Sequence, residues 1–116
     1  MTEVKVLVCG DRNWGSRLVI KEYLKYLKPS LVIEGGARGA DRLAGVVARE
    51  LGIPVKVFLA DWDKYGRGAG MMRNRQMLDE CPGLVLAFHS DIEESRGTAD
   101  TLCEAERRGI EYVLVE

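Results

Sequence analysis

Three glycines within five residues, Gly35, Gly36 and Gly39, open the stretch GGARGADRLA (Gly35–Ala44), which then takes on a helical pattern. Glycine at this density is costly in backbone entropy, so a close approach or an unusual backbone angle must require it. One chemistry that would is an anionic group resting on main-chain N–H donors at the positive end of a helix, with Asp41 in its first turn. The spacing is neither G-x-G-x-x-G nor a Walker-type GxxxxGK[ST]. A tight strand-to-helix turn is therefore the competing explanation.

Other residues capable of chemistry fall in three further stretches. In ESRGTAD (Glu94–Asp100), Ser95, Gly97 and Thr98 combine hydroxyls with backbone donors at a helix start, with ordinary capping as the alternative. GRGAGMMRNRQM (Gly66–Met77) carries Arg67, Arg73 and Asn74, and a planar guanidinium matches phosphate or carboxylate. In the same stretch Arg75 reads as part of a solvated face, and Met71, Met72 and Met77 read as core. The turn Gly10-Asp11-Arg12 lies at the end of the first apolar run. Trp14, Trp62 and Tyr65 stand on loops, where an aromatic ring stacks on a base or packs over the core. His89 is alone and is best explained as a hydrogen-bonded strand end. No serine triad or metal-ligand cluster accompanies it, so neither a metal nor a cofactor is expected.

The elements that must position these groups follow from periodicity. VKVLVCG (Val4–Gly10), SLVIEGG, IPVKVFLA, GLVLAFH and IEYVLVE are short apolar runs that read as five strands. Between them lie helical patterns. SRLVIKEYLKYLK has Leu18, Tyr23, Leu24 and Leu27 near helical spacing, with Ser16 as N-cap and Pro29 as its stop. ADRLAGVVAREL, GMMRNRQMLDEC and TADTLCEAERRG supply the other three helices. Buried strands alternating with helices predict an α/β fold, a Rossmann-like three-layer α/β/α sandwich with a five-stranded parallel sheet. In such folds ligands bind beyond the carboxyl ends of the strands. The turns there are rich in glycine, arginine and hydroxyls, whereas LKPS, LGIP, ECPG and RRGI at the opposite edge are plain helix stops.

With 116 residues, the chain is expected to form one domain over residues 1–116. A formal charge of −1 gives the molecule as a whole no attraction for a polyanion. The three cysteines, Cys9, Cys81 and Cys103, are too scattered for a disulfide framework or a zinc knuckle. There is no signal peptide and no apolar run of transmembrane length, so a soluble cytoplasmic protein without membrane contact is expected.

Taken in order, VCGDRNW, GGARGADRLA, GMMRNRQM and SRGT resemble the superfamily that joins DNA-processing protein A to the Lonely-guy phosphoribohydrolases (the SMF/DprA–LOG, or SLOG, superfamily). The resemblance falls in its small stand-alone YspA-like branch and spans nearly the whole chain. It implies a Rossmann-like sheet that binds nucleotides or their derivatives. Gly36, Gly39 and Asp41 match the glycine motif of the DNA-processing relatives, and Arg73 and Asn74 match their RN pair. Arg73 also matches the arginine of the phosphoribohydrolases, whose PGGxGTxxE motif is matched by Gly97 and Thr98. Two departures concern that last motif. Ser95 and Arg96 replace glycines, and Thr101 stands where the catalytic glutamate would be. Asp100 is one position short, an offset of about 100° on a helix.

Binding of a nucleotide or nucleotide-derived phosphorylated ligand is the leading expectation. Phosphate would lie on the Gly36–Gly39 and Gly97–Thr98 turns, Arg73 would balance its charge, Trp14 or Trp62 would cover the base, and Gly10, Asp11 and Arg12 would line the floor. One alternative is N-glycosidic hydrolysis of a nucleoside monophosphate, with Arg73 and Asp100 as candidate catalytic residues. The other is single-stranded DNA binding along Arg12, Arg38, Arg67, Arg73 and Arg75. The resemblance further implies a homodimer.

Overall fold

The computed structural model describes residues 4–116. Five parallel strands, β1 (Lys5–Gly10), β2 (Leu31–Glu34), β3 (Val55–Val57), β4 (Leu84–Phe88) and β5 (Tyr112–Val115), lie in the order β3-β2-β1-β4-β5. The chain steps outward from β1 to β3, then returns to place β4 on the free side of β1. The two halves thus diverge at the carboxyl ends of β1 and β4, the position where open α/β sheets form crevices.

Period-two alternation along β1 divides the core. Val6 and Val8 point to one face, where they meet Ile20 and Leu24 of α1 (Arg17–Leu27) and Ala44, Val47 and Ala48 of α2 (Ala40–Glu50). Leu7 and Cys9 point to the other, against Met77 and Leu78 of α4 (Ala69–Leu78) and Leu102 and Ala105 of α5 (Arg96–Arg107). Both faces of the sheet are therefore covered. Each large aliphatic side chain withdrawn from water here contributes about 1.5–3 kcal/mol.

Local signals account for the helix ends. Ser16 caps α1, its Oγ accepting from the Val19 N–H, and Lys28 closes the helix in the left-handed region before Pro29. Ser95 caps α5 by accepting from the Thr98 N–H at 3.2 Å, so that helix starts at Arg96, two residues before the expected TADTLCEAERRG. The stretch between β3 and α4 also holds a short helix, α3 (Trp62–Tyr65), capped by Asp61, and a 3-10 turn at Gly66–Gly68.

Three expectations are corrected. IPVKVFLA forms a strand of only three residues, because β3 is an edge strand and its partner β2 turns away after Glu34. Leu18 is 70% exposed, and Ile20 takes the core position instead. Met71 and Met72 are exposed too; on α4 it is Met77 and Leu78 that join the core cluster under the sheet.

Candidate functional site

A cavity of about 420 Å³ opens where β1 and β4 diverge, between the β1–α1 loop, the β2–α2 loop, α4 and the start of α5. Its inner wall holds Cys9, Asp41, Asn74, Met77, Thr98 and Thr101, all buried apart from exposure to the cavity itself. Arg12, Arg38 and Arg96 stand at the exposed rim. With half-buried Arg73, four arginines line the cavity beside two aspartates, Asp11 and Asp41. The positive excess favours an anionic occupant.

The glycines are demanded by the protein's own packing. A Cβ on Gly10 would lie 2.2 Å from the Phe88 carbonyl oxygen, and one on Gly39 (φ +84°) would lie 2.2 Å from that of Asp11. The Asp11 carbonyl also accepts from the Ala40 N–H at 3.1 Å, so the β1–α1 loop sits directly on the start of α2. A Cβ on Gly35 would meet Arg73 and Asp41. Gly36 (φ +72°) completes the turn. None of Gly35, Gly36 and Gly39 lines the cavity; Gly10 does.

Three donors in the glycine loop are occupied by carboxylates of the same chain. Asp41 Oδ2 accepts from the N–H groups of Gly35 (3.2 Å) and Ala37 (3.3 Å), and Glu34 accepts from the Gly36 N–H. Burial pushes Asp41 up to about 6, against the lowering effects of the Ala37 N–H and of Arg73. Glu34 is raised as well, again chiefly by burial. Burial also raises the Cys9 thiol, which leaves it protonated and unreactive.

Arg73 and Asn74 brace the site. Arg73 Nη1 donates to the Gly35 carbonyl at 2.6 Å and its Nε to Asn74 Oδ1, while Asn74 Nδ2 reaches the Gly97 carbonyl at 3.3 Å. The pair thus ties the glycine loop to the start of α5 through α4. Thr101 faces the cavity, its hydroxyl donating to the Gly97 carbonyl at 3.1 Å. At Gly97 itself no atom lies within Cβ contact range, while the next N–H group, that of Thr98, is taken by the Ser95 cap.

Several residues expected at a site lie elsewhere. Asp100 is bound to Arg75 and Asn74 on the α4 side and does not line the cavity. Trp14 packs on Phe88, ring centroids 5.5 Å apart, and its indole N–H donates to the Ser16 carbonyl. Arg67 and Trp62 lie outside the cavity, on the α3 side. Gly10, Asp11, Arg12, Asp41, Arg73, Asn74, Ser95, Gly97 and Thr98 are brought together as its walls. They are joined by Arg38, Arg96 and His89, whose Nδ1 accepts from the Asp91 N–H at 2.9 Å. Of these, the sequence marks Arg38 only as part of a nucleic-acid groove, His89 only as a strand end, and Arg96 only as a departure from an expected glycine.

The match to known proteins covers the glycine-rich half most clearly. Residues 4–65, from β1 through α3, match the family model described as YspA, cpYpsA-related SLOG family. The chain is similar to the Gene 61 protein of Mycobacterium phage D29, at 31% identity over 119 residues and 94% of each chain. In structure it resembles DNA processing protein A from Streptococcus pneumoniae, with a TM-score of 0.54 and 16% identity. That likeness covers 97% of this chain and 59% of the other, so the protein spans about three-fifths of that structure's length. A predicted subunit of tRNA methyltransferase from Methanocaldococcus jannaschii aligns with a TM-score of 0.42 and 18% identity over 96% of this chain and 67% of that one. By the extent of the family match and the near full-length relative at 31% identity, the chain belongs to the YspA, cpYpsA-related SLOG family.

Proposed function

We propose that the protein binds a nucleotide or nucleotide-derived phosphorylated molecule in the cavity between β1 and β4. The observation that carries this reading is the convergence of Arg12, Arg38 and Arg96 with the uncrowded Gly97 at the start of α5 on one recess. Guanidinium groups and a helix N-terminus are complementary to phosphate in charge and in hydrogen-bond donors. A recess of about 420 Å³ lies within the range of small-molecule sites. Membership of a family that groups with nucleotide-handling folds agrees with it.

The phosphate position in this reading is the α5 side of the cavity. The glycine loop contributes mainly shape, since Asp41 and Glu34 already take the N–H groups of Gly35, Gly36 and Ala37. The reading is one of binding; the candidate catalytic acid Asp100 does not line the recess, whose carboxylates are those of Asp11 and Asp41.

Isothermal titration with nucleoside mono- and diphosphates, ADP-ribose derivatives and a single-stranded oligonucleotide tests the proposal. Saturable binding of a small nucleotide, weakened about tenfold or more by Arg96→Ala, is the expected result. No heat from any small nucleotide would overturn it, and salt-sensitive binding of the oligonucleotide alone would replace it with a nucleic-acid surface. Release of free base in the same mixtures would add hydrolysis to binding.

A further inference from the structure

Asp41 is the most unusual polar group in the cavity wall. The residue is 5% exposed, yet it makes no ion pair among the described residues. One carboxylate oxygen, Oδ2, is fixed by the Gly35 and Ala37 N–H groups. The other, Oδ1, accepts no hydrogen bond among the described residues. No buried side-chain oxygen or nitrogen among them lacks a partner, so Oδ1 is not sealed inside protein and opens onto the cavity that Asp41 lines. Arg73 is close enough to favour the charged form, but its guanidinium is directed to the Gly35 carbonyl and to Asn74.

An ionised carboxylate oxygen only accepts hydrogen bonds, and leaving one buried without a donor is costly. The occupant must therefore bring a donor to this end of the recess. It cannot bring its phosphate, because two anions would meet there; the phosphate belongs on the α5 side, with Arg96. An ammonium donor would suit Asp41 but would be repelled by Arg73. A neutral donor satisfies both, and the sugar hydroxyls are the neutral donors of a nucleotide that lie nearest its phosphate.

We infer that Asp41 is a specificity residue whose free carboxylate oxygen accepts from a sugar hydroxyl, so that the cavity selects a ribose phosphate derivative with free hydroxyls over its deoxy counterpart. The inference rests on the binding reading above and deepens it: the ligand lies with phosphate on the α5 side and ribose hydroxyls against Asp41.

The test compares the tightest-binding ribonucleotide of the panel with its 2′-deoxy, 3′-deoxy, 2′,3′-dideoxy and 3′-amino-3′-deoxy forms. Wild-type affinity is expected to fall about ten- to a hundredfold when the contacting hydroxyl is removed, as for a hydrogen bond to a charged group. Asp41→Asn keeps an oxygen for the two N–H groups but presents an amide N–H₂ to the cavity. It is expected to bind the parent weakly and to lose discrimination across the series. Equal wild-type affinity for every deoxy form would overturn the inference while leaving the binding reading intact. Tighter binding of the amino form would overturn the hydroxyl assignment, and no binding by any ribonucleotide would overturn both. The wild-type comparison needs no variant, so a poorly folding Asp41→Asn protein leaves the result decisive.

Discussion

Arg75 and Asp100 face each other across the α4–α5 contact, with Nη1 to Oδ2 at 3.1 Å and Nη2 to Oδ1 at 3.4 Å. Asn74 Nδ2 approaches the same Oδ2 at 3.3 Å, and Arg75 also reaches Glu104 at 3.7 Å. This network locks two helices together and directs the Asp100 carboxylate to α4. Asp100→Asn should cost about 0.5–1.5 kcal/mol in denaturant unfolding, typical of a partly exposed pair with hydrogen bonds. Nucleotide affinity should stay within about twofold, as for a site without direct contact. A large affinity loss at unchanged stability would contradict this geometry.

Two glycines respond oppositely to a methyl group. At Gly39 a Cβ collides with the Asp11 and Arg12 backbone, and the positive φ adds strain. Gly39→Ala should therefore destabilise by about 2 kcal/mol or more and displace the β1–α1 loop. Gly97→Ala meets nothing and lies in the first turn of α5, so it should be neutral or stabilising by up to about 1 kcal/mol. Thermal melts of the two variants give the comparison. If phosphate rests on the α5 start, Gly97→Ala should also weaken nucleotide binding despite its intact fold.

Arginines of the cavity divide by what they touch. Arg73 holds the Gly35 carbonyl and Asn74, and Arg73→Ala strands both acceptors; a stability loss of about 1.5–3 kcal/mol is expected. Arg96 is exposed at the rim, and Arg96→Ala should alter stability by less than about 0.5 kcal/mol. Chemical denaturation separates the two, and titration at two salt concentrations should show the smaller salt dependence for Arg96→Ala. Equal destabilisation by both substitutions would refute the division.

Patterns that act within a few residues were legible before the structure. The apolar runs of β1, β2 and β4, the Ser16 cap and the Pro29 stop each involve neighbours, and all appear as read. The glycine cluster was recognisable as special, but its cause lies far away in sequence: Gly39 is constrained by Asp11, and Gly35 by Arg73. A ligand and a distant backbone segment impose the same demand for a missing Cβ, so residue type alone could not separate them. Asp100 illustrates the same point. Its side-chain direction is decided by Arg75 and Asn74 on another helix, which no local spacing encodes. Short β3 follows from its edge position, a property of topology rather than of IPVKVFLA itself.

Buried Asp41 should make the protein's stability depend on pH in the direction opposite to an ion-paired acid. Its folded pKa, about 6, lies above the ordinary aspartate value, so the native state binds a proton more readily than the unfolded chain. The associated stability is fully present below about pH 4 and is lost as pH rises through about 6. The gap corresponds to an upper value of roughly 3 kcal/mol. Glu34 on β2, raised in the same direction, adds to this; Arg73 on α4 opposes it, and Cys9 on β1 stays neutral. Glu104, held down to about 2 by Arg107 and Arg108, acts in a separate window, its contribution being lost only as pH falls from the ordinary glutamate value toward 2. Melting temperature should therefore rise when pH is lowered from about 8 to about 5. Asp41→Asn, which carries no charge to bury, should melt higher than wild type at the upper pH, with the difference shrinking at the lower one. The price is the ligand contact, as is common where a functional group is held in an unfavourable environment. A difference of the same size at both pH values would mean that the Asp41 proton is not the source of the effect.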